Sequence, residues 1–261
     1  MTRAGITRAV VAAGGAGTKM DPITRIIPKE MLPVARKPIL EHLVLELRDA
    51  GIDSVLFLIS SGKSQIPAYF GSGKRYGLEF SYRVQGDGAG PGAPVLAAET
   101  WTQGKPFVLA FGDNLIRPTP AGPETPLQRL LNGQTANEDA CSVLTAVFPA
   151  DQVPAHETLL GAAPARRTDG SPVTFGKDQL DHTVARWAHA CAARWVLSPF
   201  VFEALRQCRP RANGELYLID AVRHCFSTGH QLKAVPLLPA DVRFNLDNWR
   251  AYEDAVTILR G

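Results

Sequence analysis

An α/β fold, a mixed and mainly parallel sheet flanked by helices, is predicted by three observations. Short apolar runs bounded by glycine recur through the first 115 residues, and amphipathic stretches of helical period alternate with them. The first apolar run ends directly in a glycine-rich turn, the arrangement that places a ligand at the carboxyl end of a parallel sheet. At 261 residues the chain is expected to form one domain, residues 1–261, large enough to bury a substantial core.

The elements follow in order. Ala9-Val10-Val11-Ala12-Ala13 reads as a buried strand running into Gly14-Gly15-Ala16-Gly17-Thr18. Residues 38–51 read as a helix, with Pro38 at its start, apolar positions 39, 40, 43, 44 and 47, and Gly51 at its end. Strands are expected at 54–59, 80–84 and 106–111, with helices at 63–70 and 94–101 between them. The second half is less regular. It suggests strands at 141–148, 190–197 and 232–237 and helices at 199–207, 215–225 and 248–259, and leaves 150–180 unassigned.

Composition narrows the class of function. Lys and Arg number 28 against 25 Asp and Glu, a net charge of +3, too small to mark a nucleic-acid binder. The four cysteines form no CxxC pair and the six histidines no HExxH, so free thiols in a reducing compartment are expected rather than a disulfide framework or a zinc site. No stretch approaches 18 apolar residues, and no leader is visible. The expectation is a cytoplasmic protein without membrane or nucleic-acid partners, open to homo-oligomerisation.

The chemistry concentrates in residues 14–29. Glycines let a backbone pass close to a ligand and present successive N–H groups to phosphate oxygens. Lys19, Arg25 and Lys29 follow within eleven residues and could neutralise a triphosphate. Two other phosphate loops are excluded. No Gly stands three residues after Gly17, so the dinucleotide fingerprint fails. Ser61-Gly62-Lys63-Ser64 has Phe57 where a Walker loop needs glycine, and reads as a helix start.

Gly15-x-Gly17-Thr18-Lys19, Pro22, Thr24-Arg25 and Pro28-Lys29-Glu30-Met31-Leu32-Pro33 closely resemble the opening motif of the bacterial UTP–glucose-1-phosphate uridylyltransferases, within the sugar-1-phosphate nucleotidyltransferases. Further landmarks follow in family order: Gln85-Gly86, Gly90-x-Gly92, Gly112-Asp113-Asn114, Arg194-Trp195-Val196-Leu197-Ser198 and Gly214-Glu215-Leu216. They cover all but the stretch 150–190. The resemblance implies a Rossmann-like, GT-A-like fold, with a nucleotide-binding half over 1–115 and a sugar-binding and C-terminal half over 116–261.

It also implies a reaction: a sugar 1-phosphate attacks the α-phosphorus of a nucleoside triphosphate, UTP first among them, and pyrophosphate leaves. No protein nucleophile is required, so positioning and charge neutralisation carry the catalysis. By resemblance, Ala13, Gly14, Gly15, Gly17 and Thr18 would hold the nucleotide, Lys19 would face the pyrophosphate and Lys29 would contact the phosphates. Gln85 would read the edge of uracil or thymine, Gly90 would admit base or ribose, Glu215 would serve the sugar, and Asp113 would hold Mg²⁺.

Three departures from the family stand beside these roles. Lys19 and Arg25 exchange the family's Arg and Lys, which differ in how they grip phosphate. Asn245-Leu246-Asp247 stands for the family's Asp-x-Gly, so Asn245 would be a weaker metal ligand and Asp247 either its substitute or a cap on the last helix. The sugar-binding Glu-Lys-Pro is missing, with Lys177 and Asp178 as its candidate remnants. Two expectations follow: an active nucleotidyltransferase with an altered sugar pocket, or a nucleotide-binding homologue without turnover, regulatory or scaffolding.

Overall fold

The computed structural model describes residues 5–86, 90–119, 122–134, 140–149, 158–163, 171–175 and 187–259. The parallel block is built from β1 (Arg8–Ala13), β4 (Ser54–Ile59), β5 (Glu79–Val84) and β6 (Phe107–Phe111), in the order β5-β4-β1-β6. Edge strand β5 alternates, whereas β1, β4 and β6 are apolar on both faces. Ala9, Val11 and Ala13 enter one core with Val55, Phe57 and Ile59, whereas Val10 enters another with Leu56 and Leu58. Burial of successive residues is why these runs read as continuous rather than alternating.

The mixed part continues beyond β6. β11 (Trp187–Leu197) pairs antiparallel with β6 and with β8 (Ala140–Pro149). β8 runs parallel to β12 (Gln231–Pro236), which pairs antiparallel with β10 (Val173–Phe175), while β9 (Thr158–Ala163) lies on β11. Thus β9 and β10 fill parts of the stretch that the sequence left unassigned. Two small ribbons complete the strands: β2 (Pro33–Val34) with β3 (Lys37–Pro38), and β7 (Asn114–Arg117) with β13 (Val242–Asn245).

Helices cover both faces. α1 (Ile39–Asp49), α2 (Gln65–Phe70) and α4 (Pro126–Asn132) add Leu40, Leu43, Ile66, Phe70 and Leu127 to one core. α3 (Ala93–Thr102), α5 (Phe200–Gln207) and α6 (Leu218–Ser227) add Val95, Phe202 and Val222 to the other. α7 (Trp249–Ile258) closes a third, smaller core in which Met20 and Leu32 meet Leu115, Phe244 and Leu246. Residues on either side of the glycine turn are thereby tied to the C-terminal segment.

Two boundaries differ from expectation for local reasons. The helix expected from Glu215 starts at Leu218, because Tyr217 is extended and Asn213 Oδ1 accepts from the Glu215 N–H in the preceding turn. The last helix is capped not by Asp247 but by Asn248, whose Oδ1 accepts from the Ala251 N–H at 3.0 Å. Cys141, Cys191, Cys208 and Cys225 form no disulfide. Among the described residues, no helix is long and apolar enough to cross a membrane.

Candidate active site

The chain leaves β1 towards one side of the sheet, to β4, and later adds β6 on the other. The crevice beyond the carboxyl ends of β1 and β6 is therefore a topological switch point. A cleft with two adjoining lobes lies there. The first lobe, about 380 Å³, includes Gly14, Gly15, Lys29, Gln85, Gly90 and Glu215 in its wall. The second, about 340 Å³, is lined by Cys191, Ala193, Trp195, Tyr217, Arg243 and Asn245 among others. Pro91, Phe111 and Asp113 belong to both, so Asp113 stands at the junction.

The glycine turn forms the rim of the first lobe. Gly17 adopts φ +73°, a conformation that disfavours side chains, and its carbonyl accepts from the Met20 N–H at 2.9 Å to begin a short turn. Among the described residues, the N–H groups of Gly14, Gly15, Ala16 and Gly17 donate to no protein acceptor. Four consecutive donors left open at the edge of a cleft form a cradle for anionic oxygens. Ala13 is different. Its side chain is buried at the end of β1, leaving the turn's backbone to face the cleft.

Gln85 leans over the same turn. A methyl group on Gly14 would stand 2.2 Å from the Gln85 Nε2, so glycine at 14 is what admits this amide. The Gln85 Oε1 is buried with no hydrogen-bond partner among the described residues. Gly90, with φ +77°, packs against Glu215 and Leu216, since a methyl there would stand 2.6 Å from the Glu215 Cβ. Its lack of a side chain is thus required by the protein's own packing. Glu215, expected at the sugar, borders the first lobe and accepts from Tyr217 Oη at 2.8 Å, and it is Tyr217 that lines the second lobe.

The cations are distributed unequally. Lys29 Nζ lies 2.5 Å from Asp113 Oδ2. Burial pushes the Asp113 carboxyl up, but the Lys29 charge with hydrogen bonds from Lys29 and Asn114 holds it net below the usual carboxylate value. Burial likewise pushes Lys29 down, and Asp113 outweighs it, leaving the ammonium net raised. Lys19 Nζ lies 2.7 Å from Asp247 Oδ2 and is 69% exposed. Arg25, the third cation of the segment, pairs with Asp21 at 3.1 Å and lies outside the cleft lining. Thr18 is exposed at the start of the turn that carries Lys19.

Behind these residues stands a second layer that sequence reasoning did not find. Lys63 is buried and reaches both oxygens of Glu30 at 2.7 Å; burial pushes Glu30 up and Lys63 down, each opposed by the other's charge. Arg194, fully buried, places Nη2 2.7 Å from Glu46 Oε2 and 3.0 Å from the Asn114 carbonyl. Asn114 Nδ2 donates to Asp113 Oδ1 at 2.7 Å and to Asn245 Oδ1 at 3.2 Å, which brings those two oxygens near each other. The pairing Asn114↔Asn245 of β7 with β13 fixes this contact. The only hint in sequence was one lysine, Lys63, and one arginine, Arg194, inside otherwise apolar or motif segments.

The oxygen set suits a substrate-borne magnesium ion. Among the described residues, no group of three or more His, Cys, Asp or Glu forms a cage. Asp113 and Asn245 supply one carboxylate and one amide oxygen, and Asp247 a second carboxylate through its neighbouring position. Mg²⁺ takes one or two carboxylates and keeps waters and phosphate oxygens, so these donors fit it. Lys177 and Asp178 lie outside the described residues.

A nucleotidyl transferase family model matches residues 8–156. A UTP–glucose-1-phosphate uridylyltransferase of Streptococcus pneumoniae is 27% identical over 239 residues, covering 83% of this chain and 79% of that one. A low-salt glycan biosynthesis nucleotidyltransferase of Haloferax volcanii is 27% identical over 241 residues, 86% of this chain but 58% of the relative's length. A UTP-bound UGPase of Acinetobacter baumannii superposes with a TM-score of 0.78 at 19% identity, over 97% of this chain and 93% of that one. That last likeness is one of fold.

Proposed function

This chain belongs to the nucleotidyl transferase family, as a divergent member, and on that premise we propose that it transfers a nucleoside monophosphate, UMP foremost, from the triphosphate to a sugar 1-phosphate. The observation that carries the proposal is the row of N–H donors at residues 14–17 without an acceptor among the described residues, in a turn that lines the same lobe as Lys29 and Asp113. The triphosphate lies along the turn, with its β- and γ-oxygens towards Lys19 and Lys29. Both lysines pair with carboxylates, and the phosphates take them over from Asp113 and Asp247.

The freed Asp113 and Asp247, with Asn245, would hold Mg²⁺, which when bound supplies positive charge against the α-phosphate and the departing pyrophosphate. The Gln85 carboxamide, with its unsatisfied Oε1, accepts from the N3–H that uracil and thymine share and cytosine lacks. A sugar 1-phosphate in the second lobe presents a phosphate oxygen to the α-phosphorus. The new P–O bond forms as the bond to pyrophosphate breaks, and no proton is required of the protein. Closeness and charge lower the barrier.

The test is pyrophosphate release from UTP, dTTP, CTP, ATP and GTP with Mg²⁺ and a panel of sugar 1-phosphates. Release with a pyrimidine that carries N3–H, abolished by Asp113→Ala, supports the reading. Release with no pair at high protein concentration overturns it. Tight UTP binding without release would instead favour the regulatory homologue.

A further inference from the structure

We propose that Arg243 seats the phosphate of the incoming sugar 1-phosphate, since the Glu-Lys-Pro motif is missing and no other described cation lines the second lobe. The inference rests on the reaction just proposed and adds an acceptor site to it. Arg243 lies on β13, in register with Ile116 on β7, and shares a strand face with Asn245. Phe244 between them is buried in the third core, which fixes the direction of both neighbours.

Among the described residues, only one of the five guanidinium donors finds an acceptor. Arg243 Nε donates to Asn114 Oδ1 at 2.9 Å, and neither Nη group has a partner among the described residues. A half-buried guanidinium held by Nε with its fork open is preorganised for a tetrahedral dianion, because the two Nη groups can grip two phosphate oxygens together. The surroundings of the fork agree. Arg243 is the one cation among the described residues lining the second lobe, whose walls also include Asp113 at the junction, Phe111, Trp195, Tyr217 and the small side chains of Cys191 and Ala193.

The position of the fork is also right for chemistry. Asn114 joins Arg243 to Asp113 through a single side chain, taking the bond from Arg243 on its Oδ1 and giving one to Asp113 from its Nδ2. A phosphate on the fork therefore stands beside the junction of the lobes, where its free oxygen can meet an α-phosphorus held by the glycine turn. The sugar ring then falls among the aromatic walls. Lys29, on Asp113 Oδ2, and Lys19, on Asp247 Oδ2, remain for the triphosphate.

The experiment compares wild type with Arg243→Gln and Arg243→Lys. Steady-state KM is measured separately for UTP and for glucose 1-phosphate, galactose 1-phosphate and N-acetylglucosamine 1-phosphate. Calorimetry with glucose 1-phosphate and with inorganic phosphate gives affinity without turnover. Arg243→Gln is expected to raise the acceptor KM and Kd by about 10- to 100-fold while the UTP KM stays within about twofold. Arg243→Lys, which keeps the charge but loses the fork, is expected to fall between.

An Arg243→Gln enzyme with unchanged acceptor KM, or with both KM values raised alike, overturns the assignment; the second result would mean Arg243 serves only to hold Asn114. The two readings fail separately. If wild type turns over no pair yet binds a sugar phosphate in an Arg243-dependent way, the reaction falls and the phosphate seat stands. If neither turnover nor phosphate binding occurs, both fall.

Discussion

Arg194→Met is expected to cost the fold about 3–5 kcal/mol, the usual penalty for stripping a buried charge of its partner. Arg194 is 0% exposed, and its guanidinium makes two bonds to Glu46 on α1, at 3.1 and 2.7 Å, with further bonds to the carbonyls of Ala193 and Asn114. Methionine fills the volume but leaves the Glu46 carboxylate, only 14% exposed, and two buried acceptors unmatched. For a chain of this size about 1 kcal/mol moves the Tm by roughly 2–4 °C, so the midpoint should fall by roughly 6–20 °C. Urea unfolding followed by circular dichroism gives the energy directly, with the slope expected to stay constant. Glu46→Leu in the same chain should recover all but about 1–2 kcal/mol, because the uncompensated carboxylate is gone. A loss under about 1 kcal/mol for Arg194→Met, or strictly additive behaviour of the pair, would refute the view of this ion pair as the strut behind Asp113.

Three further outcomes are expected. Lys29→Met removes the main opposition to burial at Asp113 and leaves only the weaker hydrogen bonds, so a carboxylate NMR titration should find that group raised relative to wild type; in wild type the pair stabilises above about pH 4 and is lost below it, since Asp113 is held low. Gly14→Ala should displace the flexible end of Gln85, costing about 1 kcal/mol or less in unfolding energy but roughly tenfold in UTP affinity by calorimetry. His189, which burial holds down at about 4, binds its proton more readily in the unfolded chain, so stability should fall by about 3 kcal/mol between pH 6.5 and 4; His189→Gln should flatten that slope in acid unfolding curves.

Most of the parallel block was legible because β1, β4 and β6 are short and apolar on both faces, with glycine directly after β1 and β6. Residues 54–59 match β4 end to end. The β7–β13 ribbon was not legible. Each strand has four residues, and what makes them strands is a pairing between positions 114 and 245 that no local pattern announces. The same non-locality hid Glu30–Lys63 and Glu46–Arg194, whose partners lie 33 and 148 residues apart. The loop cations were visible as a group, yet sequence could not separate Lys29, inside the cleft, from Arg25, which turns back to Asp21 at helical spacing. Asp247 was ambiguous because it precedes a better cap. Once Asn248 takes that role, Asp247 is left to face Lys19.

The central idea is that the open amides after β1 hold a triphosphate, and amide NMR on isotopically labelled protein tests it residue by residue. Titration with UTP and Mg²⁺ should shift the Gly14, Gly15, Ala16 and Gly17 resonances together, with the Gln85 side-chain amide, at one common Kd. If UTP binds while these four resonances stay in place, the nucleotide sits elsewhere and the account of the cleft is wrong.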